Sequence, residues 1–89
     1  MHKEINILTA SALRGLRAEN KMSLEDVANI TGINKDTIHR YENSNVSMQL
    51  WILDKLVDSY GLTLDIFFKT IYDKMQNKKA RIEMTEKEE

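Results

Sequence analysis

Apolar positions recur three and four residues apart along most of the chain, and each such stretch closes at a residue that breaks a helix. Thr9 as an N-cap and the pair Leu13 and Leu16 predict a first helix over about 9–20, stopped at Asn20-Lys21. Ser23 through Asp26 has the shape of a capping box, so a second helix is expected from near Leu24. It ends at Thr31-Gly32, because glycine accepts the left-handed conformation that closes a helix. Asn34 can cap a third helix running to about Asn43, with Ile38 and Tyr41 on its inner face. Asn43-Ser44-Asn45 is turn chemistry. A fourth helix over about 48–60 carries Leu50, Leu53, Leu56, Val57 and Tyr60 and stops at Gly61. Thr63 caps a fifth, which holds Leu64, Phe67, Phe68, Ile71 and Met75.

The two ends read differently. Residues 1–8 are expected to be a loose lead-in until Ile7 or Leu8 reaches the core, leaving a domain over about 9–76. In the tail, 77–89, Lys78, Lys79 and Arg81 precede Glu83, Glu86, Glu88 and Glu89. That order opposes the helix macrodipole and predicts fraying after about residue 77, although Ile71, Met75 and Ile82 could extend the apolar stripe.

Composition narrows the class. With 89 residues there is room for one domain, and the absence of proline with only three glycines tells against closely spaced β-turns. The expected fold is all-α, a compact five-helix bundle. The chain has no cysteine, which removes disulfides, thiol nucleophiles and thiolate metal sites and fits a reducing, cytoplasmic setting. No apolar run approaches the roughly 20 residues that cross a bilayer, and Met1-His2-Lys3-Glu4 lacks a signal-peptide pattern, so no membrane partner is expected. A net charge of −1 excludes a globally basic coat; any nucleic-acid site must be a local patch.

Residues 24–43 carry the strongest pattern. Two short helices meeting across a tight turn need a small residue at their approach, a glycine in the turn and inward apolar residues. Ala28, Gly32 and the set Val27, Ile33, Ile38 and Tyr41 supply them, which makes a helix-turn-helix. In that motif the second helix is presented to the major groove.

With these residues placed, the chain resembles the lambda-repressor-like (Cro/repressor type) helix-turn-helix family over about residues 9–70. The matching positions are Arg17, Ser23 to Ala28, Thr31-Gly32-Ile33, Thr37-Ile38-His39-Arg40-Tyr41-Glu42, Leu50 to Gly61 and Asp65-Ile66-Phe67-Phe68. Leu24, Ser44 and Met48 depart from the family's usual glutamine, glycine and proline. The resemblance implies a structural ion pair between Arg17 and Glu42. It also implies a transcriptional regulator, a repressor, acting as a homodimer on a near-palindromic double-stranded DNA operator without a cofactor. The source would be bacterial or phage-encoded.

On helix three the residues left over from the core are Lys35, Asp36, His39, Arg40 and Asn43. Arginine reads guanine bidentately and aspartate accepts from cytosine, so Lys35, Asp36, His39 and Arg40 are the expected base readers. Arg14, Lys21, Ser23, Asn34, Thr37, Asn43, Ser44 and Asn45 are expected at the DNA backbone. Phe68, Ile71 and Tyr72, three and four apart on helix five, are the expected dimer patch. Catalysis is not expected. Asp36 and His39 would give a metal two ligands without a third, and Asp54 with Asp58 reads as an exposed carboxylate face. The rival reading is a protein-binding regulator. Trp51 and Ile52 lie off the helix-four stripe, so either they form a patch or the lead-in covers them. A toxin docking there, on helix five or on the tail would make the chain an antitoxin, and a phage protein docking there would make it another kind of protein-binding regulator.

Overall fold

The computed structural model describes the backbone of residues 2–43 and 47–88, and the side chains of residues 4–43 and 47–77. Five helices follow one another: α1 (His2–Glu19), α2 (Leu24–Thr31), α3 (Lys35–Asn43), α4 (Leu50–Ser59) and α5 (Leu64–Glu88).

The internal boundaries follow local hydrogen bonding. Ser23 Oγ accepts from the Asp26 N–H at 3.0 Å, and the Asp26 carboxylate accepts from the Ser23 N–H at 2.9 Å, a complete capping box. Those bonds hold the Asp26 carboxyl below its ordinary range. Gly32 closes α2 at φ 76°, donating to the Ala28 carbonyl. A Cβ there would meet nothing within 4 Å, so the backbone conformation alone calls for glycine. Asn34 Oδ1 receives the Asp36 N–H at 2.7 Å and opens α3.

The two outer boundaries differ from expectation. α1 begins at His2, so residues 2–8 are helical where a lead-in is expected. Leu8 packs against the core, and Thr9 lies buried inside the helix. Its hydroxyl donates to the Ile5 carbonyl one turn back, at 2.7 Å, and so does not cap. α5 runs to Glu88, through the segment whose charge order predicts fraying. The apolar stripe does continue past Ile71 to Met75, which packs against the core.

One core joins all five helices: Leu13 from α1, Val27 from α2, Ile38 and Tyr41 from α3, Leu53, Leu56 and Val57 from α4, and Phe67 and Ile71 from α5. Two corrections belong here. Ile52 is buried and Leu50 is 65% exposed, the reverse of the expected α4 stripe. Ile71 is 5% exposed and belongs to the core, so it cannot form a surface patch with Phe68 and Tyr72. α3 rests on α1 and α2, and α4 on α2 and α5. The second helix of the motif is thus held from behind while its opposite face stays open.

Candidate nucleic-acid interface

α3 is built on a 3–4 repeat with opposite chemistry on its two sides. Ile38 (1% exposed), Tyr41 and Glu42 turn inward, while Lys35, Asp36, His39, Arg40 and Asn43 are exposed. The four expected base readers therefore share one solvent face. Among the described residues none of the four has a side-chain hydrogen bond or ion pair. Among the described residues no three His, Asp or Glu side chains converge, so Asp36 and His39 gain no third metal ligand.

The frame behind that face is polar as well as apolar. Arg17 pairs with Glu42 through a fork: Nε to Oε2 at 2.9 Å and Nη2 to Oε1 at 3.0 Å. The Glu42 side chain is 1% exposed and the Arg17 side chain 25%. Hydrogen bonding to Glu42 raises the Arg17 pKa above its ordinary value and keeps the guanidinium charged. Arg17 Nη1 also donates to the Met22 carbonyl at 3.1 Å, so one side chain ties α1, the entry to α2 and the end of α3.

The expected backbone contacts divide. Arg14 is exposed, but its Nη1 donates to the main-chain carbonyl of Glu42. Asn43 Nδ2 donates to the His39 carbonyl at 2.9 Å. Both groups are engaged at the end of α3. Ser23 spends its oxygen on the capping box and sits beside the ionised Asp26, which repels phosphate. Asn34 uses Oδ1 as a cap and keeps its amide N–H groups. Lys21 is exposed in the α1–α2 turn at φ 54°, and Thr37 is half-buried. Ser44 and Asn45 lie outside the described residues. The Arg14 contact was not anticipated. Its signal is the three-residue spacing to Arg17, which sets both on one flank of α1.

Elsewhere on the surface, Trp51 is 59% exposed while Ile52 turns inward, so the expected pair does not form one patch. Trp51 Nε1 donates to Gln49 Oε1 at 2.6 Å, and the Lys55 ammonium lies 5.9 Å from the ring centroid. Phe68 (42%) and Tyr72 (60%) are exposed one turn apart on α5. No described helix is long and apolar enough to cross a membrane.

Comparison with known proteins gives a match to the helix-turn-helix domain over residues 10–65, the span from α1 to the first turn of α5. A Saccharolobus islandicus protein described as an HTH-type transcriptional regulatory protein is 34% identical over 71 residues, covering 80% of this chain and 22% of its own length. The chain thus spans about a fifth of that relative. The cryptic phage CTXphi transcriptional repressor RstR of Vibrio cholerae is 36% identical over 55 residues, 62% of this chain and 50% of that one. Among solved structures, the clp gene regulator ClgR of Corynebacterium glutamicum superposes with a TM-score of 0.76 at 15% identity, covering 92% of this chain and 87% of that chain. At that identity the likeness is one of fold.

Proposed function

The chain belongs to the helix-turn-helix domain family, and from that premise we propose that it is a sequence-specific regulator of transcription, a repressor that reads the major groove of double-stranded DNA with α3 as a homodimer. The observation that carries this reading is the open face of α3, where Lys35, Asp36, His39 and Arg40 stand exposed on a helix anchored from behind. Similarity to a phage repressor supports repression over activation. With a net charge of −1 a single copy gains little from non-specific attraction, so a second copy doubles the readout. Asn34, Lys21 and Thr37 are the backbone contacts this reading retains, together with Ser44 and Asn45 beyond the described side chains.

The exposed Trp51 and Leu50 favour a second reading, a regulator that docks a protein partner such as a toxin or a phage protein. Selection of random duplexes by the full chain separates the two. DNA reading is expected to enrich an inverted repeat with half-sites about 34–36 Å apart. Arg40→Ala should then lose roughly 1–3 kcal/mol of discrimination at one or two base pairs and stay folded. Equal weakening on every sequence would assign Arg40 to phosphate. Failure to enrich any sequence would sink the DNA reading and leave the protein-binding one.

A further inference from the structure

We infer that Arg14 is a positioning residue for DNA reading, which fixes the axis of α3 by holding the main-chain carbonyl of Glu42, and that it is not a phosphate ligand. The inference rests on α3 being the reading helix. Arg14 and Arg17 stand three apart on α1, and both guanidiniums end on the same residue of α3. Their targets differ. Arg17 holds the Glu42 carboxylate, which sits at the end of a rotatable side chain. Arg14 holds the backbone itself, so a tilt of the helix moves its acceptor directly.

The acceptor is one that the helix leaves open. Glu42 is the penultimate residue of α3, so its carbonyl is among the last four without a partner inside the helix. A cation there satisfies an orphan acceptor and complements the negative end of the macrodipole. The nearby Asn43 amide is committed to the His39 carbonyl and does not do this work. The mechanical consequence is large for so small a contact. Glu42 and Lys35 are separated by about 10 Å of helix. A tilt of about 6° would move one end of the helix by about 1 Å relative to the other over that rise. Hydrogen bonds to base edges work within about half an ångström, so a shift of that size would lose them.

The test uses the full chain, with the duplex that the wild type enriches from a random library and a scrambled duplex of the same composition. Arg14→Met keeps the aliphatic stem and removes the donors. It should lose about tenfold in affinity on the selected duplex and about twofold or less on the scrambled one. The slope of log affinity against log salt should not change, since no phosphate contact is lost. Arg14→Lys, whose ammonium still donates, should recover part of the loss. Amide hydrogen exchange in the last turn of α3 should quicken in Arg14→Met without DNA present. A slope reduced by about one, with equal loss on both duplexes, would assign Arg14 to phosphate and overturn the inference. So would an unchanged affinity ratio between the duplexes. If the wild type enriches no duplex, the DNA reading has failed, and the exchange measurement still decides the clamp: unchanged exchange rules it out.

Discussion

Glu42 shows how a single residue can be held from two directions by its neighbours. Its side chain is 1% exposed, whereas that of Arg17, its ion-pair partner, is 25% exposed. The two ends of this ion pair are therefore unequal. Arg17→Ala leaves a buried carboxylate with no counter-ion and should cost roughly 3–5 kcal/mol in urea denaturation. Glu42→Ala leaves a guanidinium that water can reach, so its cost should be smaller. Losses that add without coupling in a double-mutant cycle would show that the pair acts as an ordinary surface contact, and equal costs would show that its two ends are equivalent.

At the scale of the element, α5 divides its apolar residues between two tasks. Phe67 and Ile71 fill the core, while Phe68 and Tyr72 present a separate exposed pair one turn apart. A charge at Ile71 has no route to water. Ile71→Glu should therefore unfold the domain, at a cost on the order of 3–5 kcal/mol. Phe68→Glu and Tyr72→Glu should keep the helical circular dichroism of the wild type. If the proposed dimer uses this face, each should also move sedimentation from dimer to monomer. A wild type that already sediments as a monomer at tens of micromolar would remove α5 as a dimer surface in the absence of DNA.

The whole molecule carries one pH response that follows from its packing. Burial, and then the neighbouring Glu42 charge, push the Tyr60 phenol up to about 12 from an ordinary 10.0, with Arg17 acting in the opposite sense. The folded state thus keeps this proton after the unfolded chain has released it. Its contribution to stability is complete below about pH 10 and is lost as pH rises through about 12. Thermal unfolding followed from pH 9 to 12 should show the loss, and Tyr60→Phe should reduce it. A variant that falls as steeply as the wild type would place the alkaline loss elsewhere.

The inner helix ends were legible in the sequence because local bonds make them. Ser23 with Asp26, Gly32 and Asn34 act within four residues of themselves, and so does the Thr63 side chain, which bonds Asp65 at the start of α5. The open face of α3 was legible for the same reason, since spacing alone sorts its residues around the axis. Spacing does not say where the neighbouring helices lie. Along α4 it admits a stripe through Leu50 or one through Ile52, and only packing against α2 and α5 chose the second. Along α5 it grouped Ile71 with Phe68 and Tyr72, and the core claimed Ile71. Thr9 could cap a helix or bond back into one, and the packing of Leu8 against the core accompanies the second choice. Arg14 could face phosphate or protein, and its partner, the Glu42 carbonyl, lies 28 positions along the chain. The sequence by itself determined what each residue does relative to its own helix; the tertiary structure decided which way each helix faces, because that depends on contacts between residues far apart in the chain.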